Sequence, residues 1–376
     1  MVAGHTSPRR WIVYALGGGM GHLNRALSLV RAVDRCRRSE TPVVFPVETC
    51  VITNSSYVDS LDMGSMLAKG DRLITIDPNL TRDETAYQVI DFIRSTPHDV
   101  LIVDTFPRGL GGELADLLPG LDCCKVLVHR DLNPRYVSEF NLSSFVDQFE
   151  LVIAPGELGE LSSLSHVVRT NPWLLCEPDE LFSPLRSRRL LQVDSDERPV
   201  VAVIGCGTEA EVNQMRDVAD ELALDFAGNA IVRFVTPRQT ESANENKRAS
   251  PGAIVVHVWP FLRVIRAVSV VVGGGGYNTV NEARATQTRL VGIPRKRMYD
   301  RQHLRLDDDE RVPNSSDTAR LVKRALAAQQ RESQGQGQVP VYVNGANAAA
   351  RAIAETVAGF SGGTGGTGSP GSAGVA

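Results

Sequence analysis

Residues 270–282 read VVVGGGGYNTVNE and contain the pattern on which the fold prediction depends. Three valines form a short apolar run, four glycines follow, and a polar stretch typical of a helix start comes next. Glycine permits tight turns and lets a ligand approach the backbone closely. The N–H groups at a helix start also attract anions. We therefore predict a strand, a ligand-binding loop and a helix in this order.

The same order of apolar run and helical pattern recurs along most of the chain. It occurs from residue 11 to about residue 155 and restarts near residue 200. Runs that are apolar on both faces indicate parallel strands covered by helices. The predicted helical patterns include 57–67, 111–118 and 300–306. We therefore predict an α/β fold with two doubly wound Rossmann-like domains that face each other across a cleft.

The predicted organisation has several parts. Residues 1–175 form an N-terminal domain, 176–198 form a linker rich in Pro, Ser and charge, and 199–345 form a C-terminal domain. An alanine-rich helix over 346–360 follows, and we consider that it crosses back to the first domain. Residues 361–376 are expected to be a disordered Gly/Ser tail, since they have nothing to bury.

Composition excludes several classes of function. The formal net charge is −4, so no basic surface for nucleic acid is indicated. The six cysteines contain no C-x-x-C pair and the seven histidines show no H-x-x-x-H spacing, so neither a disulfide framework nor a metal site is expected. No apolar run approaches the length of about 18 residues that a membrane span needs. We expect a cytoplasmic protein without a cofactor, in which any membrane contact is peripheral.

A second glycine-rich loop lies near the N-terminus, where residues 15–30 read ALGGGMGHLNRALSLV. Its glycines fit neither the dinucleotide fingerprint nor the P-loop, because His22 stands at the third glycine position and no G-K-[ST] follows. His22 falls in the first helical turn, at the sheet edge where open α/β folds bind ligands. A capping or packing role for His22 is the alternative.

Two further strand ends carry ionisable residues. Asp104 ends one apolar run, and His129, Arg130 and Asp131 end another. Together with His22 they suggest a shared cleft that could contain a general base. The alternative is that Asp104 and Asp131 only cap the turns that follow them.

The second half repeats the loop pattern. Residues 203–212 read VIGCGTEAEV, with Thr208 as a helix N-cap or a hydrogen-bond donor to phosphate. Glu282 follows the four glycines by about one helical turn and could accept hydrogen bonds from a ribose diol. Asp300 and Gln302 lie at another junction between a strand and a helix.

These motifs resemble those of the metal-independent glycosyltransferases with two Rossmann domains, the GT-B type, and in particular the MurG-like family 28 group with its "predicted glycosyltransferase" relatives. The resemblance rests on GGGMGH at 17–22, GGGGYNTVNE at 273–282 and PRKRMYDRQ at 294–302.

The resemblance implies a nucleotide-sugar site in the C-terminal half. Phe261 would contact the base, although core packing is its alternative, and the backbone of Leu262 would read the edge of the base. Glu282 would bind ribose, and Asp300 and Gln302 the sugar. The implied diphosphate contacts come from Gly205, Gly207, Thr208, Gly274, Gly275, Gly276, Asn278 and Thr279.

The resemblance also implies an acceptor site in the N-terminal half, with His22 or Asp131 as the base. The H-E-x-N segment of the family becomes His129-Arg130-Asp131 here, so the choice between the two bases stays open. The other acceptor-side residues are Gly19, Gly21, Asn24, Arg25 and Asp104.

The implied activity is an inverting, metal-independent transfer of a hexose or N-acetylhexosamine. The donor would be a nucleotide diphosphate sugar, UDP-linked by expectation, and the acceptor an unidentified hydroxyl compound. A nucleotide-sugar hydrolase or 2-epimerase of the same fold is the main alternative, because hydrolases share the G-x-G-H-x-x-R pattern of residues 19–25. A non-catalytic nucleotide-sugar-binding protein is a third possibility.

Overall fold

The structure is a computed structural model that describes residues 7–38, 46–157, 159–162, 164, 166–193, 196–237, 252–333 and 341–361. It contains two parallel sheets, one in each half of the chain. The predicted α/β fold with two doubly wound sheets is confirmed. The predicted tail lies, from residue 362 onward, outside the described residues.

The first sheet has seven strands. They are β1 (Arg9–Tyr14), β2 (Val47–Thr53), β3 (Arg72–Thr75), β4 (Val100–Asp104), β5 (Cys124–Val128), β6 (Leu151–Pro155) and β7 (Val167–Thr170). Their order is β3-β2-β1-β4-β5-β6-β7, and every pair is parallel.

The second sheet has five strands. They are β8 (Val200–Ile204), β9 (Ile231–Thr236), β10 (Ile254–His257), β11 (Val270–Gly274) and β12 (Arg289–Ile293). Their order is β10-β9-β8-β11-β12, again with parallel pairs. Strand order reverses beside β1 in the first sheet and beside β8 in the second. Open α/β sheets bind ligands at such reversals, outside the carboxyl ends of the strands.

Nine α-helices lie within the described residues. They are α1 (Met20–Arg38), α2 (Arg82–Ser95), α3 (Pro134–Glu139), α4 (Leu142–Phe145), α5 (Pro184–Leu190), α6 (Glu209–Asp225), α7 (Tyr277–Ala285), α8 (Thr318–Ser333) and α9 (Gly345–Ser361). Among the described residues, no helix is both long and apolar enough to cross a membrane.

Three predicted helices are shorter than expected. Residues 57–67 form only the 3₁₀ turns Val58–Ser60 and Met63–Ser65, and 111–118 lead through turns into Leu118–Gly120. Residues 300–306 contain the 3₁₀ turn Gln302–Leu304. Glycines within the first two stretches favour turns over continuous helix. Strand β7 was not predicted, because its side chains are only partly buried and it lacks a long apolar run.

The segment between the sheets is well packed. The 176–198 stretch contains α5, and its Cys176, Leu181 and Leu191 are buried in the core of the second sheet. The last helix, α9, lies far along the chain but packs against the first sheet. Its Ala350 and Ile353 share a core with Trp11 of β1. The chain therefore returns to its N-terminal half after completing the second sheet.

Candidate active site

A cleft of about 760 Å³ lies between the carboxyl edges of the two sheets. Residues from both halves of the chain line it, including the loops that follow β1, β4, β8 and β11. All but five of the predicted site residues are in this lining. The five that are not are Asp104, His129, Gly205, Leu262 and Gly275.

His22 and Asp104 form a hydrogen-bonded pair on the N-terminal side of the cleft. Nδ1 of His22 lies 2.6 Å from Oδ2 of Asp104. Burial opposes ionisation of Asp104, but the Arg25 guanidinium and His22 outweigh it and hold the pKa of this carboxyl well below its usual range. An ionised carboxylate can only accept, so Nδ1 of His22 carries the proton and Nε2 is left as an acceptor. Burial also lowers the pKa of His22, which keeps the imidazole neutral.

Arg25 also binds the Asp104 carboxylate and shares its Oδ2 atom with His22. Its Nε lies 2.9 Å from Oδ1 and its Nη2 lies 2.7 Å from Oδ2. Arg25 is predicted on the acceptor side, and the structure places it beneath His22, one helical turn farther along α1. A bidentate pair of this kind fixes the orientation of a carboxylate. Asp104 lies behind His22 and is shielded from the cleft.

The neighbours of His22 leave its ring little freedom. A Cβ on Gly17 would lie 2.1 Å from Cδ2 of His22, so a side chain at residue 17 would collide with the imidazole. On the other side the ring stacks on Phe106, with centroids 5.6 Å apart. His22 nevertheless keeps 15% of its side-chain surface exposed to the cleft. The imidazole is therefore fixed in place and still reachable.

Two features of this half were missed by sequence reasoning. Asn54, just beyond β2, accepts hydrogen bonds from the N–H groups of Gly17 and Gly18, each at 2.9 Å. Thr105, directly after Asp104, has a φ of 73°. A β-branched residue in the left-handed region is an outlier, and such strain concentrates at functional sites. No sequence pattern indicates either feature, because both depend on contacts between distant loops.

Asp131 is held by a residue of the C-terminal half. Arg301 Nε donates to Oδ2 of Asp131 at 3.0 Å, and Arg301 Nη2 donates to Oδ1. The neighbouring Glu157 forms a similar ion pair with Arg305. The pair around Asp131 occupies both of its carboxylate oxygens. His129 is buried, does not line the cleft, and burial lowers its pKa to about 4.

The C-terminal half presents an open helix start to the cleft. Gly276 is the N-cap of α7, and no side chain within the described segments caps this helix. The N–H groups of the first turn, which includes Asn278 and Thr279, therefore have no side-chain acceptor at the N-cap. By contrast, α6 begins with a capping box in which Thr208 and Glu211 satisfy each other. The start of α7 is the better anion site of the two.

The four consecutive glycines of 273–276 differ in how much space a side chain would have at each position. A Cβ on Gly273 would lie 2.8 Å from Thr279, and one on Gly275 would lie 2.8 Å from the backbone oxygen of Gln302. A Cβ on Gly276 would meet nothing within 4 Å. Gly274 and Gly276 line the cleft, whereas Gly275 does not. Close packing within the protein therefore accounts for two of the four glycines.

The loop after β8 is largely occupied by contacts within the protein. A Cβ on Gly205 would collide with Phe234 at 2.2 Å. The N–H of Gly207 donates to the Tyr57 hydroxyl at 2.8 Å, and that hydroxyl donates to the Gly207 carbonyl at 2.7 Å. The predicted phosphate contacts of Gly205 and Gly207 therefore compete with packing and with a bond between the two halves. Gly207 and Thr208 still line the cleft.

Glu282 lies in the cleft wall one turn into α7. Its side chain is buried, and among the described residues its carboxylate has no hydrogen bond or ion pair. Burial raises the pKa of Glu282 to about 8. Burial of a carboxylate without a hydrogen-bond partner is unfavourable. Its position is suited to accepting hydrogen bonds from a ligand.

The remaining donor-side residues lie around Glu282. Phe261 lines the cleft and also packs against the core of the second sheet, whereas Leu262 is fully buried in that core. Asp300 lines the cleft and lies 2.5 Å from Nη2 of Arg305. The side-chain oxygen of Gln302 accepts a hydrogen bond from the backbone N–H of Arg295 at 3.1 Å. Two lining residues that the sequence did not single out, Arg295 and Arg297, form ion pairs with Glu211.

Asn24 lies where the two halves meet. Its side-chain oxygen accepts a hydrogen bond from Nε1 of Trp259 at 3.3 Å. Gly19 and Gly21 line the cleft beside it. Among the described residues, no group of His, Cys, Asp and Glu side chains is arranged to hold a metal ion.

No protein-family model matches the chain, and no curated protein matches it by sequence. Solved structures do match in fold. The glycotransferase of kitacinnamycin is 12% identical, with a TM-score of 0.59 over 94% of this chain and 100% of that one. S. aureus MnaA, solved with UDP, is 12% identical, with a TM-score of 0.60 over 91% and 94% of the two chains.

A third structure, of a Listeria monocytogenes protein assigned as a UDP-N-acetylglucosamine 2-epimerase, is 11% identical, with a TM-score of 0.54 over 94% and 96% of the two chains. At these identities the comparisons establish the fold. The chain has the GT-B fold, which it shares with the kitacinnamycin glycotransferase, S. aureus MnaA and the assigned epimerase.

Proposed function

We propose that the protein is a glycosyltransferase that moves a sugar from a nucleotide diphosphate sugar to a hydroxyl acceptor with inversion. The observation that carries this proposal is the His22–Asp104 pair, with the uncapped start of α7 and the unpaired Glu282 lining the same cleft. A base and an anion site that line one cleft are what such a transfer needs.

In the proposed reaction, His22 acts as the general base. Its Nε2 removes the proton of the acceptor hydroxyl, and the acceptor oxygen forms a bond to the anomeric carbon of the donor sugar. The bond from that carbon to the diphosphate breaks on the opposite face, so the configuration inverts. Asp104 stabilises the imidazolium that results, as a carboxylate does behind a catalytic histidine.

The leaving nucleoside diphosphate takes the electron pair and an additional negative charge. We assign its stabilisation to the N–H groups of the first turn of α7 and to the positive end of that helix, without a metal ion. Glu282 accepts hydrogen bonds from the ribose diol, and Phe261 contacts the base. Asp300 and Gln302 bind sugar hydroxyls. UDP is the proposed nucleotide, in line with the UDP that is bound to S. aureus MnaA.

His22 is a better candidate base than Asp131. Both oxygens of Asp131 are paired with Arg301, and an acceptor hydroxyl would have to displace that guanidinium. Nε2 of His22 has no protein partner among the described residues, and the imidazole is oriented by Asp104. We therefore assign Asp131 a positioning role.

A thermal screen followed by kinetics tests this function. The nucleotide sugar that raises the Tm most identifies the donor, since a ligand that binds only the folded state stabilises it. His22→Ala is expected to lower kcat by about 100-fold or more without changing the donor Kd. His257→Ala is the matched control, because His257 is exposed and does not line the cleft. Full kcat in His22→Ala would remove His22 as the base.

A nucleotide-sugar hydrolase or 2-epimerase is the second candidate function, and the fold similarity to the assigned epimerase supports it. In that case water replaces the acceptor, or the sugar is released and altered at C2. Donor incubated without acceptor separates these activities. Free sugar formed at catalytic speed would indicate hydrolysis, and a changed C2 configuration by NMR would indicate epimerisation. Donor binding with no turnover on any acceptor would indicate a non-catalytic protein.

A further inference from the structure

Given the glycosyltransferase function proposed above, on which this inference rests, we propose that the acceptor is an uncharged, ring-bearing apolar hydroxyl compound. The juxtaposition behind this proposal is a continuous row of aromatic rings that begins at His22, in a half of the cleft whose charged side chains are already paired within the protein.

The row of rings leads away from the proposed base. His22 stacks on Phe106, and the Phe106 centroid lies 5.4 Å from that of Tyr299 in an edge-to-face arrangement. Tyr299 in turn lies 4.6 Å from Tyr136. Phe106 and Tyr299 line the cleft beside His22. A flat aromatic ring is suited to packing against them, because aromatic pairs prefer offset or edge-to-face contact at these spacings. Since Phe106 stacks on His22, a hydroxyl on such a ring would lie near the proposed base.

Met298 extends the same surface. It lines the cleft and keeps 74% of its surface exposed, whereas Met20 and Leu132 border the cleft but are buried. Most exposed apolar side chains have no special role, but one at the mouth of a cleft adds to the apolar area that a ligand can bury.

The segment that carries Met298 and Tyr299 is fixed to the opposite half of the protein. The Asn133 N–H donates to the Tyr299 carbonyl at 3.0 Å, and Nδ2 of Asn133 donates to the Met298 carbonyl at 3.2 Å. The C-terminal half therefore supplies one wall of the acceptor pocket in a defined position. A preorganised wall binds a rigid ligand with less loss of entropy.

The charges on this side of the cleft are neutralised. Arg25 is paired with Asp104, and Asp131 is paired with Arg301. Arg130 forms a looser ion pair with Glu157 at 3.5 Å and lies over the ring of Tyr277. An anionic acceptor would have to compete with these carboxylates for the guanidinium groups, so the cost of its desolvation would be poorly compensated.

A matched set of acceptors tests the proposal, with the donor chosen by the thermal screen. The compounds are 2-naphthol, 6-hydroxynaphthalene-2-sulfonate and methyl glucoside, which compare the same ring with and without an anionic group and a polyol without a ring. Nucleoside diphosphate release and product mass are measured. We expect kcat/KM for 2-naphthol to exceed that for the other two by roughly tenfold or more.

A pair of variants tests the wall itself. Tyr299→Ala is expected to raise the KM for 2-naphthol by roughly three- to tenfold, with the donor Kd unchanged, because one aromatic contact is lost. Tyr87→Ala is the control, since Tyr87 is 72% exposed and lies on α2, away from the cleft. Phe106 is left intact because it also supports His22.

The possible failures are distinguishable. Efficient transfer to the sulfonate or to methyl glucoside, with little to 2-naphthol, would overturn this inference and leave the glycosyltransferase function standing. A preference for the sulfonate would point to Arg130, whose Nε and Nη2 have no hydrogen-bond partner in the part of the chain that the structure describes. An unchanged KM in Tyr299→Ala would also overturn the inference. Failure of every nucleotide sugar to bind would overturn the proposed function, and this inference with it.

Discussion

At the residue scale, His22 must be neutral to act as a base, and its environment favours the neutral form. Burial lowers its pKa below the usual 6.5, and the hydrogen bond to Asp104 opposes this only in part. With donor at saturating concentration, kcat/KM for the acceptor is therefore expected to stay level as the pH falls from 7 to below 6.5 and to drop only at more acidic values. A pH–rate profile on the wild type measures this. A drop centred above 6.5 would contradict the assignment, and His22→Gln should lose this limb of the profile together with most of its activity.

Glu282 gives a second prediction at this scale, and it concerns stability. Its folded pKa of about 8 lies above the usual 4.5, so the folded protein holds this proton more tightly than the unfolded chain. Stability contributed by the protonated form is present below about pH 4.5 and is lost as the pH rises towards 8. The Tm of Glu282→Gln minus the Tm of the wild type should therefore increase when the pH is raised from about 5 to about 8. An equal Tm difference at both pH values would contradict the buried, unpaired carboxyl.

Donor binding should change the protonation of the same group. Hydrogen bonds from a ribose diol favour the ionised carboxylate, so donor binding near pH 7 is expected to release protons. Calorimetry in two buffers with different ionisation enthalpies detects this release. Glu282→Gln serves as the control and should show weaker binding and a smaller dependence on buffer. The same buffer dependence in both proteins would assign the proton to another group.

At the element scale, the glycines before α7 separate packing from binding. Gly276→Ser should fold and gain a few tenths of a kcal/mol, because serine is a good N-cap and the site is open. Its hydroxyl would compete for the amide of Thr279, so donor affinity should fall by about tenfold. Gly275→Ser should instead destabilise the protein by roughly 1–3 kcal/mol through its collision with the Gln302 backbone. Urea unfolding and donor Kd together measure both effects.

The reverse pattern would place the diphosphate elsewhere. Loss of donor affinity in a stably folded Gly275→Ser, with Gly276→Ser unaffected, would mean that the start of α7 does not bind phosphate.

The elements are also where sequence reasoning succeeded best. Each strand from β8 to β11 contains mostly β-branched residues in a short, largely apolar run, and such local patterns predict strands without tertiary information. The pattern at 273–276 predicts a loop but cannot distinguish Gly275 from Gly276, because the Gln302 backbone that crowds one of them lies 27 positions away. The apolar periodicity of 57–67 likewise predicts a continuous helix and does not distinguish it from the two 3₁₀ turns that are observed.

At the scale of the whole molecule, contacts between the halves determine the shape of the cleft. The Tyr57 hydroxyl forms hydrogen bonds with the backbone N–H and the carbonyl oxygen of Gly207. The backbone N–H of Trp173 donates to the Tyr277 hydroxyl at 2.8 Å. Asp131 and Arg301 are 170 positions apart. No periodicity or spacing in the sequence indicates such pairings, so the residues of the cleft could be predicted but their partners could not. For His22 and Asp104, the sequence predicts only that both lie at the same edge of the first sheet; it does not predict their hydrogen bond.

The Asp131–Arg301 pair tests both the coupling between the halves and the choice of base. Each carboxylate oxygen of Asp131 is bonded, and its surroundings are largely buried, so removing either partner leaves the other poorly compensated. Asp131→Asn and Arg301→Gln should each destabilise the protein, and the double variant should recover roughly 1–3 kcal/mol of the summed loss. Urea unfolding of the four proteins measures this coupling. Because His22 is the proposed base, kcat in Asp131→Asn should stay within about threefold of the wild type, whereas a loss of about 100-fold, with folding and donor Kd intact, would transfer the base to Asp131.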